Sequence, residues 1–241
     1  MRDLEESEAE ALGKTEEIAD RRANRIRMAP NDRERLIVDH AIRFFAEQGL
    51  DGQTRELARR LGITQSLIYR YFPSKDALIA RVYEKWLQEG WNPSWPDWIS
   101  DRSEPLDDRL SRFYLDYSRV VYNFEWVRLF AFSGLNGLSY HRRFVARNRE
   151  EIYPRIIREL RFEYGMPSLE EVPLTEFETE LLWGVQATAF YVGQRQWLFR
   201  LPTPVDITAT VTARVSSFIA SAPEQIAAHL ASLQSLKMAS D

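Results

Sequence analysis

Residues 54–72 read Thr54-Arg55-Glu56-Leu57-Ala58-Arg59-Arg60-Leu61-Gly62-Ile63-Thr64-Gln65-Ser66-Leu67-Ile68-Tyr69-Arg70-Tyr71-Phe72, and this stretch decides the fold. Leu57, Ala58 and Leu61 form the inward face of a short helix for which Thr54 reads as the N-cap. Gly62 breaks that helix, because glycine takes the left-handed turn conformation without a Cβ clash. Thr64 caps a second helix running from Gln65 to Tyr71 or Phe72, and Pro73 stops it. Two short capped helices about a glycine turn make a helix-turn-helix. Ala58 must be small where the second helix crosses, and Ile63 and Ile68 bury against Leu57 and the first helix. Gln65, Ser66, Leu67, Tyr69 and Arg70 then point outward from the part of the helix that meets base edges in this motif.

The pattern continues on both sides. From Arg33, the apolar residues Leu36, Ile37, Ala41, Phe44 and Phe45 form one helical stripe, ended by Gly49. Ser74 caps a fourth helix from Lys75 through Trp86 to about Glu89. His40 reads as a plain, partly buried histidine beside the first stripe. The Gly90–Trp98 segment reads as a loop broken by Pro93 and Pro96; its Trp91, Trp95 and Trp98 either line an entrance or cover the end of a bundle. Helical periodicity resumes near Pro105 and covers 106–121, 125–137, 139–164, 174–199, 205–221 and 223–237, with Pro223 marking a boundary. Strand alternation is absent, which predicts an all-α protein of nine or ten helices. The domains divide as a charged arm over 1–31, a helix-turn-helix domain over 32–78 and a helical bundle over 79–241, with the helix after Ser74 joining the last two.

The 241 residues carry a net charge of −4, which taken alone speaks against a nucleic-acid binder. The charge is unevenly spread. Residues 1–20 hold 2 basic and 8 acidic side chains, residues 21–85 hold 14 and 8, and the remainder holds 16 and 20. The helix-turn-helix thus sits in a block of net charge +6 between two acidic ones, and a local positive field steers a protein to DNA whatever its total charge. Arg21, Arg22, Arg25 and Arg27 make the arm either a frayed tail or an arginine contact to phosphate or minor groove. Arg59 and Arg60 read as a solvated face rather than a DNA contact. There is no cysteine, which removes disulfides, Cys-based zinc sites and a thiol nucleophile. His40, His141 and His229 have no metal-ligand spacing, so no metal and no cofactor are expected. No signal core and no long apolar run occurs, so a cytoplasmic protein without membrane contact is expected.

The runs Phe44-Phe45-Ala46-Glu47-Gln48-Gly49, Leu57-Ala58, Leu61-Gly62-Ile63-Thr64 and Leu67-Ile68-Tyr69-Arg70-Tyr71-Phe72-Pro73-Ser74-Lys75-Asp76-Ala77-Leu78 resemble the TetR/AcrR family of transcriptional regulators. The resemblance covers about residues 33–85, with Ile68 where the family commonly has Leu, and the lead-in at Asp51–Leu57 is one residue shorter than the common pattern. It implies that Thr54, Thr64, Gln65, Ser66, Leu67, Tyr69, Arg70, Tyr71 and Lys75 bind DNA. In that reading Gln65 reads an adenine, Leu67 meets a thymine methyl, Ser66 allows close approach, and Thr64, Tyr69, Tyr71 and Lys75 hold phosphates. Arg70 serves either role, and Tyr71 and Leu67 have core packing as the alternative.

The resemblance also implies an effector cavity in the bundle and a homodimer through the helices near 174–199 and 205–221. The 181–199 segment is apolar almost all round, which suits one face to the core and another to a partner chain. Trp86, Tyr114, Tyr117, Phe130, Trp183, Gln186 and Phe190 are the ligand-binding candidates, each with simple core packing as its alternative. Arg142, Arg143, Arg147 and Arg149 read as a solvated face, with a site for an anionic ligand as the other reading.

The function expected is a regulator, a repressor in the family's usual mode, that binds a pseudo-palindromic operator and is released by a small organic effector. Two alternatives are a DNA-binding protein of chromosome organisation without a ligand, and an all-α enzyme. For the enzyme, Glu150-Glu151 and Glu170-Glu171 are splayed neighbours, Glu176 and Glu180 lack a Glu-x-x-His partner, and no phosphate-binding glycine loop is present.

Overall fold

A computed structural model describes residues 29–238; the arginines at 21–27 lie outside the described residues. Within that span the chain forms eleven α-helices and no strand. Helix α1 (Pro30–Gln48) starts on Pro30, where the missing N–H costs nothing. Helix α2 spans Thr54–Leu61 and ends on Gly62 in the left-handed conformation (φ 63°, ψ 35°). Gln53, not Thr54, is its N-cap; Thr54 is the first helical residue and is buried. Thr64 Oγ1 accepts from the Leu67 N–H to open α3 (Gln65–Tyr71), and Ser74 Oγ accepts from the Ala77 N–H to open α4 (Lys75–Glu89). Ile68 fills the joint between α2, α3 and the core with no exposed surface.

The tryptophan-rich segment is not all loop. It contains α5 (Trp95–Ser100), because Pro96 occupies the first turn, where proline is compatible with a helix. Trp95 Nε1 and Asn92 Nδ2 both donate to Asp116 Oδ2 at 2.9 Å, and Trp91 and Trp95 are buried. The cluster therefore covers the end of the bundle. Helices α6 (Leu106–Val121), α7 (Phe124–Leu135), α8 (Tyr140–Arg147) and α9 (Tyr153–Glu163) follow, with a π turn over Asn148–Ile152 linking the last two. Pro154 lies just after that turn; it cannot donate to the carbonyl one turn back, and the wider winding accommodates the loss.

Helix α10 (Glu176–Trp197) opens on a capping box between Thr175 and Glu178. Helix α11 runs unbroken from Thr208 to Met238, with Pro223 inside it, where the periodicity predicts two helices. Proline in a helix interior costs about 3 kcal/mol. One apolar stripe bridges the lesion: Val215, Phe218, Ile219 and Ala222 before it, Ile226 and Leu230 after it, all buried. Helix α11 packs on α10 and α6, and α1 packs on α4 and α7, so α7 reaches from the bundle to the helix-turn-helix. A single apolar core runs from Ile37 to Leu230.

Candidate DNA interface and effector cavity

Helix α3 presents its polar face as the spacing predicts. Thr64, Ser66, Tyr69 and Arg70 are exposed, Tyr69 to 41%, while Gln65, Leu67, Tyr71 and Lys75 are half-buried. Tyr71 packs against the core cluster with its edge open. Thr54 is placed differently. It is only 4% exposed, and its hydroxyl is already engaged: Gln65 Nε2 donates to Thr54 Oγ1 at 2.8 Å, and Thr54 Oγ1 lies 3.0 Å from the Tyr69 hydroxyl. Thr54 thus links two residues of α3 from behind.

Two of the three arginines of α2 are engaged internally. Arg59 and Arg60 both pair with Glu56, and Arg60 also reaches Glu47, which in turn pairs with Arg43. The hydrogen bonds from Arg59 and Arg60 hold the Glu56 carboxyl down at about 2. His40 lies on the outer face of α1 and is exposed, not partly buried, because it falls off the inward stripe set by Ile37, Ala41 and Phe44.

A cavity of about 270 Å³ lies within the bundle, enclosed by α6, α7, α8, α9, the π turn and α10. Of the seven residues singled out from the sequence, Tyr117, Phe130, Trp183, Gln186 and Phe190 line it. Trp86 does not; its ring stacks at 4.1 Å on Trp126, and Trp126 is the cavity wall. Tyr114 is buried against Phe113 outside the lining. Residues that the periodicity left unmarked complete the wall, among them Trp126, His141, Phe144, Asn148 and Tyr153. Asn148 follows Phe144 by one turn on the same inward face; a polar side chain on an apolar stripe was the available signal.

Polar atoms in the cavity form a short chain. The Tyr153 hydroxyl donates to Gln186 Oε1 at 2.6 Å, Gln186 Nε2 donates to Asn148 Oδ1 at 3.3 Å, and Asn148 Nδ2 donates to the Phe144 carbonyl at 2.9 Å. His141 Nδ1 lies 3.0 Å from Ser133 Oγ, and burial pushes the imidazole pKa down, with Arg142 adding to the effect. Three of the four arginines in the basic run beside it are engaged elsewhere. Arg147 sits over the Trp91 ring and pairs with Glu151, Arg149 pairs with Glu176, and Arg143 lies over Tyr140.

The wall facing the helix-turn-helix is α7, and it is tied to that domain at several points. The Arg128 guanidinium donates to the carbonyls of Ala46 and Glu47 at the end of α1 and to the Trp197 carbonyl at the end of α10. The Tyr83 hydroxyl of α4 donates to the Leu129 carbonyl at 2.8 Å, and Arg43 of α1 pairs with Glu125.

A helix-turn-helix seated in a basic block and tied to a helical bundle with an aromatic cavity is the architecture of a DNA-binding transcriptional regulator. Residues 37–82 match the family described as bacterial regulatory proteins, tetR family. The whole fold is shared with solved regulators of that family. One from Streptomyces coelicolor has 18% identity over 88% of this chain and 90% of its own, with a TM-score of 0.58. PfmR from Thermus thermophilus has 18% identity over 76% and 96%, at 0.53. One from Pseudomonas syringae pv. tomato has 20% over 80% and 97%, at 0.51. No curated protein matches the chain. No helix among the described residues is long and apolar enough to cross a membrane.

Proposed function

We propose that the chain is a cytoplasmic homodimeric repressor whose helix-turn-helix domain, residues 32–78, binds a pseudo-palindromic operator and is released when a small organic effector fills the cavity of the bundle, residues 79–241. The observation that carries this reading is the position of α7, one side of which forms the cavity wall through Trp126 and Phe130 while Arg128 on the same helix grips the end of α1.

On the DNA side, Gln65 and Leu67 meet bases, Ser66 allows close approach, Arg70 serves base or phosphate, and Thr64, Tyr69, Tyr71 and Lys75 hold phosphates. Thr54 serves that contact from behind, by fixing Gln65 and Tyr69. The partner chain docks on α10 and α11. Gly184, Ala187 and Tyr191 of α10 are exposed in the single chain, as are the small residues Thr212, Ala213, Ser216, Ser217 and Ala220 of α11. A Cβ built on Gly184 meets nothing within 4 Å, so the face is open to close helix approach. Such a dimer sets its recognition helices about one turn of B-DNA apart, ~34 Å. An effector pressing on α7 changes that separation, and DNA and effector affinities are then reciprocally coupled, typically by ~1–3 kcal/mol. The cavity favours this reading over ligand-free chromosome organisation.

Selection of binding sites from random-sequence duplex DNA by the full chain, followed by sizing of the complex, tests the proposal. The expected product is a two-fold motif with half-sites about one helical turn apart, bound by an even number of chains. A motif without two-fold symmetry, or no enriched motif, would overturn it.

A further inference from the structure

We propose that the effector is an uncharged, flat aromatic molecule of two or three fused rings bearing a hydroxyl-type oxygen, that this oxygen pairs with the Tyr117 hydroxyl, and that the cavity rejects carboxylates and ammonium compounds of the same shape. This rests on the reading of the bundle as an effector domain and specifies its ligand.

The shape of the cavity comes from rings. Phe130 and Phe190 meet edge-to-face at 4.8 Å, Trp126 and Phe144 at 4.6 Å, and Trp183 closes another side. These faces and edges favour a planar aromatic guest. At about 270 Å³ the cavity lies at the small end of the range for ligand sites, roughly 300–1,000 Å³, which limits the guest to a few rings.

The charge of the guest is set by what is missing from the wall. Among the described residues, no Asp, Glu, Lys or Arg lines the cavity. A charged guest leaves water for this interior without a counter-ion, and that desolvation is unrecovered. Arg147 and Arg149 are no remedy, since they are paired with Glu151 and Glu176 outside it, and Arg142, although near enough to His141 to lower its pKa, is exposed and not part of the lining. Burial pushes the Tyr117 and Tyr153 hydroxyl pKa values up and the His141 imidazole pKa down, so all three titratable groups stay neutral near pH 7.

The oxygen is set by which polar atoms remain. Tyr153, Gln186 and Asn148 satisfy one another. The Tyr117 side chain lines the cavity, is 7% exposed, and its hydroxyl has no hydrogen-bond partner among the described residues. His141 lines the same cavity with Nδ1 engaged at Ser133 and, among the described residues, Nε2 unpaired. A hydroxyl beside an apolar cavity gains from a partner. A ligand hydroxyl supplies one, because it accepts from Tyr117 and pairs with Nε2 in either imidazole tautomer.

The test titrates the full chain with three probes of one shape, 2-naphthol, 2-naphthoate and 2-naphthylmethylammonium, together with naphthalene. Trp126 and Trp183 in the wall supply the fluorescence signal, and thermal shift gives a second readout. Saturable binding of 2-naphthol is expected, at least about tenfold tighter than either ion. Tyr117→Phe should weaken 2-naphthol about tenfold, the loss of one hydrogen bond to a buried group, and leave naphthalene unchanged; a merely structural role for Tyr117 would alter both. Val145→Trp, which projects a ring into the cavity from a half-buried position, should abolish binding of all four while circular dichroism stays helical. Binding of an ion as tight as that of 2-naphthol, absence of 2-naphthol binding, or equal effects of Tyr117→Phe on naphthol and naphthalene would overturn the inference. Ion binding that Val145→Trp still blocks would leave the effector cavity standing with a different ligand. Failure of the regulator reading itself shows separately, in DNA selection by the ligand-free chain.

Discussion

The Gln65 side-chain amide donates to Thr54 Oγ1 at 2.8 Å, tying the first residue of the recognition helix to the first residue of the helix behind it. With one N–H so committed, the amide keeps its carbonyl oxygen and its second N–H free, and that pair is complementary to the N6 and N7 edge of adenine. The hydroxyl that receives the bond also lies 3.0 Å from the Tyr69 hydroxyl, so the side chains proposed to read a base and to hold a phosphate share one anchor. Thr54→Val keeps the shape and removes the anchor. We expect the preference for adenine at the base faced by Gln65 to fall by ~1–3 kcal/mol, as read by site selection from random DNA. Thr54→Ser should restore it. A uniform loss of affinity across all sequences, with a shallower salt dependence, would instead make Thr54 a direct phosphate ligand.

Arg128 holds three helix-end carbonyls at once, two on α1 and one on α10. Arg128→Met keeps the length of the side chain and leaves the carbonyls without their donor. The expected cost is about 1–3 kcal/mol in denaturant unfolding, with faster amide exchange confined to the last turns of α1 and α10. Exchange unchanged at both helix ends would show that the clamp carries no tension between the domains.

Gly90 is a close-approach glycine. A Cβ built there falls 2.1 Å from Trp126 Cζ3 and 2.6 Å from Cη2, closer than any real contact. Gly90→Ala therefore has to displace the Trp126 ring from its stack on Trp86. Overpacking of this kind costs ~1–3 kcal/mol, and adding Trp126→Phe should recover part of it. The single variant should also show altered tryptophan fluorescence. An unchanged spectrum and unchanged stability would mean that the ring is not held against α4.

The buried Glu159 accepts from Arg102 Nε at 2.8 Å and from Arg109 Nη1 at 3.0 Å, and Arg109 is itself buried. Burial alone raises the carboxyl pKa, but the hydrogen bonds from the two arginines outweigh it, and the group sits below its ordinary value of 4.5. A folded-state value below the unfolded one means stability that is complete above pH 4.5 and is lost as the pH falls through the folded value. Glu159→Gln leaves Arg109 buried beside a neutral group, so we expect a loss of about 3–5 kcal/mol at pH 7. The gap between the variant and the natural chain should narrow as the pH falls below 4.5 in urea titrations. A gap that widens on acidification would reverse the sign of this contribution.

The helix-turn-helix was legible because each of its boundaries is fixed locally. Thr64 and Ser74 cap, Gly62 turns left-handed and Pro73 cannot continue a helix, whatever the rest of the chain does. The bundle was less legible because its boundaries are decided by packing. Pro223 signals a break, yet the buried stripe from Val215 to Leu230 carries the helix through it. Pro96 likewise reads as a loop residue, whereas it starts the short helix that buries Trp95. Periodicity marks which side chains face inward but not which inward side chains border a void. Tyr114 and Tyr117 lie on the same stripe of α6, and only Tyr117 lines the cavity. Thr54 shows the same limit at the DNA interface, since its pairing with Gln65 and Tyr69 depends on how α2 crosses α3.

The claim on which the rest depends is that α3 and the start of α4 grip DNA. Fluorescence anisotropy of a labelled duplex selected by the chain, titrated with the natural protein, Tyr69→Ala and Lys75→Ala over a range of salt, measures it directly. Each variant should lose about tenfold in affinity, and Lys75→Ala should flatten the logarithmic salt slope by about 1. If both variants bind as tightly as the natural chain, with the same salt slope, the recognition surface lies elsewhere on the molecule.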